Sequence, residues 1–237
     1  MLRGRIYGGG VSVVAKGVKK RPNLLDGEDL PRGPQQKRSL DKRARLKEAA
    51  LGLFGEKGYE GTSIGGVARR ARLPVGSFYQ HFRSKRQLLL VLMDDLLESL
   101  SRMDLCPAAK GDVRGALGNM LSGAFSADLR YLGACRAWQE ASLADAELAR
   151  KEAEIHAWTT ARVRRVFEFL QQLPGARRGV DVPGLARVMD NFFWSLLGQA
   201  LRMSKVELKE WLESSTHLIY HAMFEDAAKR KPSSSKA

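Results

Sequence analysis

Only two cysteines, Cys106 and Cys135, occur in 237 residues, and neither belongs to a CxxC pair or a His/Cys cluster. That scarcity argues against a zinc site or a disulfide framework and fits reduced thiols in a cytoplasmic protein. Long hydrophobic runs are missing too. The longest purely apolar stretch is Leu88–Met93, far short of the roughly 18–20 residues that span a bilayer, so no membrane partner is expected. The start of the chain has Arg3 and Arg5 but Gly8, Gly9 and Gly10 where a secretory signal needs a leucine-rich stretch. No P-loop, GxSxG, HExxH or dinucleotide fingerprint occurs, and His156 has no visible nucleophile beside it. An enzyme is therefore not expected, nor a cofactor.

Positive charge is abundant, and it is unevenly placed. The formal net charge is +14, and Met1–Leu88 alone holds 20 lysines and arginines against 7 acidic residues. A basic head on a nearly neutral body suggests a polyanion-binding module, with nucleic acid favoured because no long amphipathic Lys/Arg helix with a lipid-seeking face accompanies it.

Helical periodicity runs through most of the chain and predicts an all-α fold. Residues 1–38 carry Gly, Pro and basic residues without periodicity and read as a disordered basic arm. Leu46, Ala49, Ala50, Leu53 and Phe54 then form one buried helix face, which Gly58 ends as a left-handed cap. Thr62 or Ser63 caps a second helix carrying Ile64, Val67, Ala68 and Ala71, and Pro74 opens a third. Ser84 and Gln87 predict a capping box opening a long fourth helix. Three short helices within about 40 residues, the last two joined by a tight turn, make a helix-turn-helix unit over residues 39–86.

Phe78 and Phe82, four apart, are expected to point inward together. Helical geometry then turns Ser77, Tyr79, Gln80 and His81 wholly or partly outward beside Val75 and Gly76. Such a face suits a major groove: Gln pairs bidentately with adenine, Ser and Tyr hydroxyls reach phosphates, and Gly76 admits close backbone approach. Lys85, in the first turn after Ser84, combines an ammonium with free helix N–H groups for a phosphate.

The residues "ALGLFGEKGYEGTSI", "VARRARL" and "PVGSFYQHFRSKRQLL" resemble the N-terminal domain of TetR-family transcriptional regulators. The resemblance covers about a fifth of the chain. It implies a homodimer that binds double-stranded DNA at a palindromic operator, usually as a repressor, and is released by a small-molecule effector. Carried across residue by residue, it assigns Val75, Gly76, Ser77, Tyr79, Gln80 and His81 to the recognition helix. Thr62 and Ser63 fall at the phosphate-contacting start of the second helix, and Lys85 on the phosphate-binding lysine. Three positions depart from the pattern. Arg72 stands where the family has glycine, so either a non-glycine residue accepts positive φ there or the turn differs locally. Gly65 and Gly66 remove side chains from the second helix, and Val75 offers an apolar contact where a polar one is common.

The remainder, 87–228, reads as an all-helical effector-binding and dimerisation domain, followed by a polar tail over 229–237. Its aromatics nominate an apolar ligand pocket at Phe125, Trp138, Trp158, Phe167 and Phe192, which makes the expected effector apolar. Helices at about 182–202 and 205–228 carry more apolar surface than one core contact needs, and predict a two-fold four-helix interface. His217 and His221, four apart on the last helix, have no third ligand in the sequence, so no metal site is expected. The rival reading from another class is a non-specific architectural DNA-binding protein, since the arm adds much of the positive charge.

Overall fold

The computed structural model describes residues 20–31, 33, 36–103 and 112–225. Among these, nine α-helices account for the regular structure: α1 Lys37–Lys57, α2 Ile64–Arg70, α3 Val75–Tyr79, α4 Lys85–Arg102, α5 Val113–Asp128, α6 Leu132–Ser142, α7 Ala146–Leu170, α8 Val182–Ala200 and α9 Lys205–Met223. The described residues contain no β-strand, only an isolated bridge between Ala176 and Phe224. None of these helices is long and apolar enough to cross a membrane.

The helix boundaries follow local chemistry. Asp112, Asp145, Asp181 and Ser204 each cap a helix by accepting backbone N–H bonds. Ser204 and Glu207 form the reciprocal capping box in full. At α4 the box is shifted by one residue: Ser84 Oγ accepts from Gln87 N, but Gln87 Oε1 accepts from Arg83 N. Helix α9 stops at Met223 rather than near 228, because Phe224 turns extended and Arg177 N donates to Met223 O at 2.7 Å.

Two turns decide how the head is shaped. Gly58 ends α1 with φ 70° and ψ −174°, not the left-handed helical cap expected but a region that glycine alone occupies readily. The turn from α2 to α3 holds a non-glycine residue in the left-handed region. Arg72 sits at φ 55°, and Leu73 N to Ala68 O with Arg72 N to Arg69 O complete a Schellman motif. Arg45 of α1 braces it by donating to the carbonyls of Ala71 and Arg72. A left-handed non-glycine residue costs about 1–2 kcal/mol. Arg72→Gly is therefore expected to stabilise the chain by about 1 kcal/mol after glycine's extra unfolded-state entropy is subtracted, measurable as a raised denaturation midpoint.

One apolar cluster runs unbroken from Leu46, Phe54, Phe78 and Phe82 through α4 into Trp138 of α6 and Trp158 of α7. A second joins α5, α7, α8 and α9 around Leu117, Phe167, Met189 and Ile219. The head thus rests directly on the body, with α4 common to both. Helices α1 and α6 cross so closely that a Cβ on Gly133 would stand 2.0 Å from Leu51 O.

The expectation of a disordered arm through residue 38 does not hold for its second part. Leu24 is fully buried, and Leu25 and Leu30 pack on the same cluster. Arg21 pairs with Asp94 at 2.6 Å, and buried Lys151 donates to Leu24 O at 3.0 Å. Arg86, in the first turn of α4, meets Glu28, Asp145 and Glu147 at 2.7, 2.8 and 2.9 Å. Burial pulls against its charge, but the bonds to Asp145 and Glu28 outweigh it and raise its pKa. Composition marked this stretch as polar and aperiodic, while three leucines spread over seven positions are enough to dock it. Residues 1–19 and the expected tail from 229 lie outside the described residues.

Candidate nucleic-acid interface

Helix α3 has five residues, too few to persist alone, and is held by what it buries. Phe78 and Phe82 are both fully buried, with ring centroids 5.6 Å apart. Arg43 of α1 lies over the Phe82 ring at 4.6 Å and donates to His81 O at 3.0 Å. The two rings, one in the rod and one just past its end, demand a wide buried face, and it takes in more than the rings. Ser77 and His81, four apart and expected outward, are 9 % and 2 % exposed. Burial, then the positive charges of Arg43 and Lys42, hold the His81 imidazole below its usual pKa. Buried at that depth, the ring is not offered to phosphate.

The exposed residues are Val75, Gly76, Tyr79 and Gln80, an i, i+1, i+4, i+5 stripe along one side of the rod. Val75 and Tyr79 are about half exposed, unusual for such side chains without an apolar task. At the start of α2 the outcome is split. Ser63 is exposed and caps the helix through Gly66 N at 3.1 Å. Thr62 is buried, its hydroxyl donating to Gly58 O at 2.7 Å, so its side chain serves the turn and not a phosphate. Lys85 is half-buried: Nζ donates to Tyr59 O at 2.7 Å and lies 4.0 Å over the Tyr59 ring. Beside Ser63, a polar hollow of about 170 Å³ is lined by Lys57, Arg69 and Arg70. Sequence reading passed over these cations because nothing in their spacing separates them from a solvated helix face.

The matching family model is that of bacterial regulatory proteins of the TetR family, over residues 46–92, the same segment that builds this rod and its supports. The head therefore carries a TetR-type N-terminal domain over residues 46–92. It is 35% identical over 72 residues to an uncharacterised HTH-type transcriptional regulator, YuxN, of Bacillus subtilis, covering 30% of this chain and 25% of that protein. It is 26% identical over 163 residues to the HTH-type transcriptional regulator BetI of Cronobacter sakazakii, covering 64% of this chain and 77% of that one. The chain thus spans a quarter of the first relative's length and three quarters of the second's. A solved complex of SmeT with triclosan shares the fold at TM-score 0.58 and 20% identity, over 78% of this chain and 93% of that one. The relatives carry names of regulators, not of enzymes.

Within the helical body a cavity of about 130 Å³ lies among α4, α5, α7, α8 and α9. Of the aromatics nominated from sequence, Phe125 and Phe167 line it. Trp138 and Trp158 do not, being buried in the core beneath the head. Phe192 faces Trp211 instead, with ring centroids 5.9 Å apart. Its neighbours Phe193 and Trp194 line the cavity, together with Thr159, Arg162 and Asp190. The signal that was missed is helical: Asp190, Phe193, Trp194 and Leu197 fall at i, i+3, i+4, i+7, a carboxylate inside an apolar stripe. Cys135 is buried, and no group of three metal-ligating side chains gathers among the described residues.

Proposed function

We propose that this chain is a sequence-specific transcriptional repressor, working in the cytoplasm as a homodimer on a palindromic operator and released by a small effector. The observation that carries the reading is the exposed stripe of Val75, Gly76, Tyr79 and Gln80 on a rod fixed from below by two buried rings. Val75 suits a thymine methyl, Gln80 an adenine edge, and the Tyr79 hydroxyl a phosphate. Ser63 and the ammonium hydrogens that Lys85 does not spend on Tyr59 supply backbone contacts that fix register, with Arg69 and Lys57 beside them. In a two-fold dimer the two rods would sit about 34–36 Å apart, one helical turn of DNA.

Exposed apolar residues on the last two helices support the dimer. Val188, Trp211 and Leu218 are 64, 44 and 57 % exposed, a density of apolar surface that a lone chain leaves costly. Light scattering should return twice the chain mass, and a concentration-independent monomer mass would end this part of the reading. Release by an effector is supported by the cavity's position, since Leu96 and Leu100 in its wall belong to α4, the helix whose other end carries Lys85 and Arg86.

Selection of bound duplexes from a random pool tests the whole reading. Recovery of an inverted repeat is expected; recovery without sequence preference at any salt would favour an architectural DNA-coating protein instead. Gly76 offers a sharper check, because a Cβ there meets nothing within 4 Å in the free protein. Gly76→Ala should stabilise the fold by about 0.5–1 kcal/mol and yet weaken operator binding severalfold, by keeping the backbone from the duplex. Stability and affinity rising together would mean that Gly76 does not face DNA.

A further inference from the structure

The cavity wall is apolar except for Thr159, Arg162 and Asp190, and these three are not equivalent. Thr159 is committed to its surroundings: its hydroxyl points back to the carbonyls of Ile155 and His156 at 3.1 and 3.3 Å and accepts the Trp194 indole N–H at 3.3 Å. Arg162 is half-buried and spent in part, through Nη2. It donates to Leu100 O and Met103 O at 2.8 and 3.2 Å, closing the carboxyl end of α4, and its guanidinium stacks 5.0 Å over Trp158. Asp190 differs. It is 3 % exposed, and both hydrogen bonds it accepts from described residues, from the Thr160 hydroxyl at 2.9 Å and His156 Nδ1 at 3.1 Å, fall on the single oxygen Oδ2. Oδ1 keeps its acceptor capacity. A carboxylate this far from water, in a wall otherwise of Leu, Phe and Val, is costly unless a donor completes it.

Resting on the effector reading above, we infer that the molecule taken by this cavity is a small apolar amine whose ammonium pairs with Asp190. The sign of the charge follows from depth, since the one cation in the wall is only half-buried, stacked on Trp158 and bonded to the end of α4, while the one anion is 3 % exposed with both its bonds on one oxygen. The size follows from the volume: a dry cavity of about 150 Å³ accepts a benzene ring, so a single ring on a short chain is the scale of ligand that fits. The apolar body supplies burial and the ammonium supplies orientation and selectivity.

Three probes of one shape separate the outcomes: 2-phenylethylamine, propylbenzene and 3-phenylpropanoate, titrated into the full-length protein and read by tryptophan fluorescence, since Trp194 is in the wall. The amine is expected to bind about 10- to 100-fold more tightly than propylbenzene, the range a hydrogen bond to a charged group supports. Asp190→Asn should bring the amine down to the affinity of propylbenzene while leaving propylbenzene itself unchanged, which also reports that the variant is folded. Ala124→Phe, which fills the cavity, should abolish binding of both. Equal affinities of amine and hydrocarbon in the wild-type protein, or tightest binding of the carboxylate, would overturn the inference and leave the cavity as an effector site. Failure of all three probes to bind would overturn both.

Discussion

Phe78→Ala is expected to lower folding stability by about 3–5 kcal/mol and to abolish binding to the operator. The ring is fully buried, and it touches Phe82 and Tyr79 with centroids 5.6 Å away in each case. A five-residue helix has no propensity reserve of its own, so the ring is most of what fixes the direction of Val75, Tyr79 and Gln80. Domains of this kind hold only about 5–15 kcal/mol in total, so a loss of that size leaves the head partly open at ambient temperature. Urea denaturation followed by circular dichroism gives the stability, and titration with the selected duplex gives the affinity. A loss under about 1 kcal/mol with binding preserved would show that the rod is anchored by something else.

Leu24→Ala should cost about 2–5 kcal/mol, although the residue lies in a stretch with neither helix nor strand. Its side chain is fully buried, its N–H donates to Asp94 Oδ1 at 3.3 Å, and its carbonyl accepts from the buried Lys151 ammonium at 3.0 Å. Shortening it weakens a tie that spans α4 and α7, because Glu28, four residues on, reaches the same Arg86 that Asp145 and Glu147 hold. The same denaturation experiment reads the loss. A value near zero would mean that residues 20–31 lie on the surface without contributing to the fold.

Legibility in the sequence differs from element to element. The buried face of α1, the Ser63 cap and the Phe78/Phe82 pair were readable because each rests on contacts within about one or two helical turns. Where the reading failed, a partner far along the chain decided. His81 turned inward beneath Arg43 of α1, which bonds its carbonyl from 38 positions away and stacks on the neighbouring Phe82 ring. Thr62 was claimed by Gly58 O, and Lys85 by Tyr59 across the head. Trp138 and Trp158 had the right chemistry for a ligand wall but were taken by the core that joins head to body.

Spacing and composition alone settled the helical architecture, the charge of the head and the place of the short rod along the chain, since periodicity and capping are local and survive without knowledge of the partner. Only the three-dimensional packing chose which side of that rod meets water, drew Lys20–Pro31 down onto the body, and set Asp190, Phe193 and Trp194 rather than Trp138, Trp158 and Phe192 in the cavity wall. Those outcomes depend on long-range burial, where one buried ring or one buried charge outweighs any single-residue preference, and no window of sequence contains both members of the contact.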